Sequence, residues 1–384
     1  MGILEAVRKM REKRMDSGFR FDRPLVLLQS DDWGRVGVHD EEGREELRSA
    51  GLEIGERAYD LYSLETAEDV GALAEMLGSL ADSASQSPCL EMNFVTANVD
   101  FAASVVENPG HIVLKSLVEG LPGRWSRTGL YEAYRDGIKS CVFAPSLHAA
   151  THFCQQAALE TLAEDGERGD LLRRLWRAET PYIYWRMPWV GYEYWNPNRE
   201  AEDRFLSENE QQRWIAFAAE AFERFFGQRA LSACAPGYRA NQTTAQAWKK
   251  QGIRIAQNGP GARSGPHFDE HGLLRTYRSV DFEPALNAEL RSEDCLASAR
   301  DCFAAGQPFI MSVHSLNFHS TLAPFRQRTL PLLKELLQAL AENFPDVLYV
   351  NSQQLLEIIE SGGYETAGGR IQIAVRGTGK GAGA

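Results

Sequence analysis

One recurring unit restricts the fold of this chain more than any other feature. A short apolar run ends in polar residues and is followed by an amphipathic helical stretch. The runs are LVLLQSDDWG (25–34), LEMNFVTANVD (90–100), SCVFAPSLHAATH (140–152), ALSACAPGYRAN (230–241), IRIAQNG (253–259), LLRTYRSVDF (273–282), FIMSVHSLNF (309–318) and VLYVNSQQ (347–354). Between them lie helical patterns such as ERAYDLYSLETAEDVGALAEMLGSLADS, QRWIAFAAEAFERFFGQ and FRQRTLPLLKELLQALAENF. Strands that are apolar along their whole length belong in parallel sheets covered on both faces, either a barrel or a doubly wound sheet. Seven or eight such units in 384 residues suit an α/β chain folded as a (β/α) barrel.

A single domain over 1–375 is expected, with insertions at about 35–88 and 155–229 beyond what a minimal barrel needs. MGILEAVRKMREKR reads as a short amphipathic helix ahead of the first strand, and 376–384, with its low-complexity GTGKGAGA, as a flexible tail. A formal charge of −12 gives no general attraction for nucleic acid or anionic lipid. No run of about 20 apolar residues is present, so no membrane span is expected. The basic N-terminus lacks the apolar core of a secretory signal, and the six cysteines are scattered without a CxxC. They read as reduced core residues, and the cytoplasm as the expected location. Nothing in the sequence sets the oligomeric state.

The polar residues with chemical potential cluster at one end of these units. Asp31, Asp32, Asn98, Asp100, His148, His152 and His314 fall at or just beyond the C-terminal ends of the runs, the face on which barrel enzymes assemble their sites. HAATH places two imidazoles at i and i+4; if the segment turns helically, both rings share a face and can hold one metal ion. In SDDWG the adjacent acids point to opposite sides of a strand. One can then complete a two-His, one-carboxylate site while the other takes a proton; an N-cap or turn is the plain alternative. His314 alone is a core histidine, and beside a metal and a base it is a general acid. Asn317 and His319 nearby are candidate substrate contacts. Seven of the fourteen residues from Tyr182 to Trp195 are aromatic, which suits stacking on sugar rings or lining a cleft, or else anchoring a long insert. His267 and His271 repeat the i, i+4 spacing in PHFDEHG, but their Gly- and Pro-rich surroundings read as a solvated loop, with a substrate lid as the functional option.

QSDDWG, HAATH, CAPGYRAN and SVH, in that order and over about 25–355, resemble the motifs of the polysaccharide deacetylase (NodB-homology, carbohydrate esterase) family. The resemblance implies a distorted (β/α)7–8 barrel and a divalent metal, with Zn2+ the first choice. It makes Asp31 the base, Asp32, His148 and His152 the metal ligands, and His314 the acid. Substrate contacts are expected from Trp33, Asn98, Asp100, Gly237, Tyr238, Arg239 and Asn317, with the backbone N–H of Gly237 or Tyr238 at the oxyanion. The implied activity removes an N-acetyl group from an amino-sugar-containing carbohydrate or another small acylated substrate. Two other readings keep the scaffold: cleavage of another C–N bond in a ureide or cyclic amide, and carbohydrate binding without catalysis. The last is motivated by two departures from the family pattern. Cys234 stands where an Arg usually orients the base, with Arg239 the nearest substitute, and Gln257 and Asn258 stand where an Asp is usual. Losing both together is self-consistent, because losing one would leave a buried charge unpaired.

Overall fold

The apolar runs form one curled parallel sheet in the computed structural model, which describes residues 18–104, 110–260 and 265–377. Its strands are β1 (Leu25–Trp33), β2 (Leu90–Val95), β3 (Phe143–Ala149), β4 (Ser232–Cys234), β5 (Ile255–Asn258), β6 (Leu274–Tyr277), β7 (Val280–Asp281) and β8 (Phe309–His314). They lie in the order β7-β8-β1-β2-β3-β4-β5-β6, each pair parallel. Only Arg278 and Ser279 separate β6 from β7. Arg278 N–H donates to Asn258 O at 3.1 Å, and Ser279 N–H to Ile310 O at 2.7 Å. A single kinked segment therefore pairs with β5 through its first half and with β8 through its second, and joins the two ends of the sheet into a distorted barrel. A short strand, Leu348–Tyr349, also pairs with the start of β1.

Burial on both faces explains the continuous apolar runs. All nine residues of β1 are buried, and each fully buried Leu or Val side chain contributes about 1.5–3 kcal/mol relative to exposure. Helices such as Leu130–Lys139, Glu208–Phe226 and Phe325–Asn343 cover the sheet. The helix Glu208–Phe226 starts on a Ser207/Glu210 capping box and stops at Gly227, whose φ of 71° is open to glycine. Between β1 and β2 lie two helices and the 3-10 turn Ala58–Leu61; between β3 and β4 lie three helices and the aromatic-rich segment.

Four expectations change. The stretch from Glu56 to Ser83 is helical only over Ala67–Gly78 apart from that 3-10 turn, because Thr66 and Asp69 cap a helix there. His267–Phe268 is a strand antiparallel to β6, and Asp269 binds Arg275 at 2.7 Å, so PHFDEHG is an edge hairpin and not a solvated loop. Val375–Arg376 pairs with Arg20–Phe21, so ordered chain extends past the expected start of the tail. MGILEAVRKMREKR and residues 378–384 lie outside the described residues. The fourth change, in the HAATH segment, belongs to the site below. All six cysteines are free, and no helix among the described residues is long and apolar enough to cross a membrane.

Candidate metal centre

At the end of β1 the register against β2 slips between Ser30 and Trp33, and Asp32 takes a φ of 75°. Such a bulge re-aims side chains, and Asp tolerates the left-handed region better than most residues. Regular alternation would send Asp31 and Asp32 to opposite sides. The bulge instead turns both carboxylates into one cavity of about 300 Å³, which His148, His152 and His314 also line.

Asp32 Oδ1 lies 3.5 Å from His148 Nε2 and 3.2 Å from His152 Nε2. Ligands of a tetrahedral zinc at about 2.0–2.1 Å stand roughly 3.3 Å apart, so these three atoms have the spacing of one coordination sphere. The second nitrogen of each ring is already engaged. His148 Nδ1 is 2.7 Å from the Cys234 carbonyl, which can only accept, so Nδ1 carries the proton and Nε2 the lone pair. His152 Nδ1 is 2.6 Å from the Tyr182 hydroxyl. Asp32 Oδ1 and His148 Nε2 are buried with no hydrogen-bond partner among the described residues, an arrangement that costs about 1–3 kcal/mol per group unless a ligand satisfies it. Two imidazole nitrogens and one carboxylate oxygen form a donor set that suits zinc and related divalent ions. Burial, helped by Arg35 and His148, outweighs Asp32 and pushes His152 down to about 3, so its ring is neutral and free to bind a metal. Burial alone would raise Asp32, but Arg35 and His152 hold its carboxyl well below the usual range.

HAATH is not helical. His148 is in β3 and His152 follows in a bend, yet the ring centroids come within 5.3 Å. The aromatic-rich segment folds the bend back. Thr151 N–H donates to Glu193 Oε1 at 2.7 Å, and Cys154 N–H to Val190 O at 2.9 Å.

Three residues in contact with the cluster were not picked out from the sequence. Arg278, at the kink between β6 and β7, donates through Nη1 to Asp31 Oδ2 and through Nη2 to Asp31 Oδ1, each at 2.6 Å. Asn93 Nδ2 adds a third bond to Asp31 at 2.7 Å, and Gln257 binds both Asn93 and Arg278. Burial favours the protonated acid, but Arg278 overrides it and keeps Asp31 ionised. An arginine therefore does stand beside Asp31, at the break between β6 and β7. Arg239 is exposed over the Trp195 ring at 4.8 Å, and Arg278 occupies the place beside Asp31 that it was expected to fill. Glu283 is the second: its Oε1 lies 2.6 Å from His314 Nδ1 and accepts the His314 backbone N–H at 3.1 Å. Burial would lower His314, but Glu283 dominates and raises it to about 9. Glu283 stands one residue past the run 273–282, so the strand-end criterion reaches it. Arg35 is the third, 3.2 Å from Asp32 Oδ2, hydrogen-bonded to the Tyr182 hydroxyl and stacked 3.8 Å over the Tyr62 ring.

Several expected substrate contacts are supports instead. Trp33 is fully buried, stacks on Phe318 and donates to Ser30 Oγ at 2.8 Å. Asn98 accepts from Val36 N–H and donates to Gly34 O, tying down the turn after β1. Asp100 accepts the Ala103 N–H at 3.1 Å beside the hairpin Ala97–Val99/Leu114–Ser116, outside the cavity lining. Asn317 is buried and donates to Glu283 Oε2 at 2.5 Å, and His319 is buried against Tyr62. Gly237 and Tyr238 do line the cavity. Tyr238 N–H is engaged by Ala235 O at 2.9 Å, which leaves Gly237 as the remaining oxyanion donor of the expected two. The aromatic segment serves both uses considered for it: Tyr184 and Tyr192 line the cavity, while Tyr194 is buried as an anchor.

Fold and site together define a distorted parallel (β/α) barrel with a buried Asp–His–His cluster on its C-terminal face. No family model and no curated protein matches the sequence. Among solved structures, a Parabacteroides distasonis protein assigned as a glycoside hydrolase/deacetylase shares the fold with a TM-score of 0.51 at 11% identity, over 90% of this chain and 73% of that one. The 4-alpha-glucanotransferase of Thermococcus litoralis gives 0.50 at 8% identity, over 88% of this chain and 40% of that one. A peptidoglycan deacetylase of Bacillus subtilis also aligns, over 88% and 93% of the two chains, at 10% identity and a TM-score of 0.38. At these identities the likeness is one of fold. Polysaccharide deacetylases stand among the structural neighbours.

Proposed function

We propose that the chain is a metal-dependent hydrolase that removes an N-acetyl or similar acyl group from an amino-sugar-containing carbohydrate. The observation that carries the proposal is the convergence of Asp32 Oδ1, His148 Nε2 and His152 Nε2 with a second carboxylate, Asp31, in the same cavity. Asp32, His148 and His152 would hold a divalent ion, zinc by the donor set, which would supply Lewis acidity and bring the pKa of a water toward about 7. Asp31 takes the proton of the attacking water on a carboxylate oxygen. Arg278 keeps this carboxyl ionised and so able to accept that proton. Arg278 and Asn93 hold its plane while it does so. Gly237 N–H donates to the acyl oxygen as charge develops there. His314, charged near neutral pH and oriented by Glu283, gives its proton to the departing amine nitrogen. The C–N bond breaks, and one water is consumed to give a carboxylate and a free amine.

Arg278 fills the place beside Asp31 whose vacancy motivated the non-catalytic reading, and Glu283 adds a carboxylate beside His314. A ureide or cyclic amide would use the same groups, so a substrate panel decides between them. Zinc-loaded protein is expected to release acetate from N-acetylglucosamine oligomers. Cleavage of small cyclic amides alone would move the assignment to that class. His148→Ala is expected to lose both metal and turnover, while His314→Ala keeps the metal and loses turnover.

A further inference from the structure

We propose that the substrate reaches this site end-first, as a single acylated sugar or the terminal unit of a chain, and that internal units of a polymer are excluded. The inference rests on the deacetylase reading above and concerns the walls of the same cavity. His314 meets the edge of Tyr59 with ring centroids 6.2 Å apart, and Tyr59 meets Tyr184 at 5.4 Å. The hydroxyls of Tyr184 and Tyr192 are 2.7 Å apart. The Tyr192 ring then packs so closely on Gly237 that a Cβ there would lie 2.4 Å from it. Tyr238 continues the wall, with its hydroxyl accepting from Arg278 Nη1 at 2.8 Å.

Each member of this belt lines the cavity, and so does Leu286, which is 48% exposed. A groove that carries a polymer across a catalytic centre needs two open ends. The contacts run unbroken from His314 through Tyr59, Tyr184 and Tyr192 to Gly237, a wall that closes this side to a chain running across the centre. The volume, about 300 Å³, also falls at the low end of small-molecule sites.

The belt is pinned from below. Asp60 is fully buried and accepts from Trp185 Nε1 at 2.8 Å, from Arg186 Nε at 2.9 Å and from the backbone N–H groups of Gly55 and Glu56 at 3.0 and 2.9 Å. It joins the turn that carries Tyr59 to the segment that carries Tyr184. Charge-assisted bonds around a buried carboxylate are among the strongest in proteins, so the two loops behave as one wall.

The test uses the zinc-loaded full chain and the β-1,4-linked N-acetylglucosamine hexamer, read by mass-spectrometric product mapping and by saturation-transfer NMR. Acetyl loss is expected at one end unit, about tenfold or more faster than at any internal unit, with saturation concentrated on that unit. Comparable loss along the chain overturns the proposal. End-unit saturation without any acetate release upholds end-first entry and refutes the deacetylase reading. Even saturation, or none, overturns end-first entry itself. In Tyr192→Ala, with the wild-type circular dichroism spectrum, cleavage and saturation are expected to spread to internal units; an unchanged product map overturns the role of the belt.

Discussion

Arg278 and Asp31, 247 positions apart in the chain, face each other inside the barrel through two hydrogen bonds of 2.6 Å. The planar fork of the guanidinium matches the carboxylate, and both side chains are almost wholly withdrawn from water. Removing one partner leaves the other charge buried and unpaired. Arg278→Met is therefore expected to lower stability by about 3–5 kcal/mol in urea unfolding. Arg278→Lys keeps the charge without the fork and is expected to lose less. Equal stability of all three proteins would show that the pair bears no such strain.

The pH profile follows from the other carboxylate pair. His314 is raised to about 9, above its unfolded value of about 6.5, by Glu283 acting against burial. The stabilisation from its charged form is complete below about 6.5 and disappears as pH rises through about 9. Turnover that depends on the protonated ring is expected to fall over the same alkaline window. Glu283→Gln is expected to bring that limb down toward neutral pH. A limb that stays in place would separate Glu283 from the acid.

Glu193 shifts stability in the same direction as His314, over a lower pH range. Burial pushes its carboxyl up to about 8, and it accepts the Thr151 N–H while its Oε2 has no partner among the described residues. The folded chain keeps a proton that the unfolded chain loses above about 4.5, so stability falls as pH climbs from about 4.5 to 8. Glu193→Gln resembles the protonated acid. It is expected to match wild type at pH 4.5 and to be a few kcal/mol more stable at pH 8, as read by denaturant midpoints. Parallel pH dependence in the two proteins would contradict this.

Tyr182 offers a test of how the metal ligands are oriented. Its hydroxyl sits between His152 Nδ1 and Arg35. Loss of such an outer partner typically costs 10–100-fold in metal affinity, so Tyr182→Phe is expected to weaken zinc binding by about that factor in competition with a chromophoric chelator. Unchanged affinity would make the hydroxyl a bystander.

The barrel and most of its chemical groups were legible in the sequence because both leave local signals. Buried parallel strands must be apolar throughout, and Asp31, Asp32, His148, His152 and His314 stand where those runs end. Side-chain direction at a strand end leaves no such signal. Trp33, Asn98 and Asn317 sit at strand ends as well, but they point into the core or clamp a turn. The bulge at Asp32 reverses the ordinary alternation, so two adjacent acids share one cavity. Arg278 was hidden because its position depends on closure of the barrel: it lies at a break between two short strands, and its partner is on the first strand of the chain. Arg35 was hidden for a related reason, since only the fold brings it under the ring of Tyr62 and beside Tyr182.

The proposed chemistry requires one divalent cation between Asp32, His148 and His152. Anomalous scattering at the zinc edge from crystals of the zinc-loaded protein tests it most directly. A peak is expected about 2.0–2.2 Å from Asp32 Oδ1, His148 Nε2 and His152 Nε2, absent in His148→Ala crystals. No peak among these three atoms at full zinc loading, or a peak that persists there in His148→Ala, would contradict it.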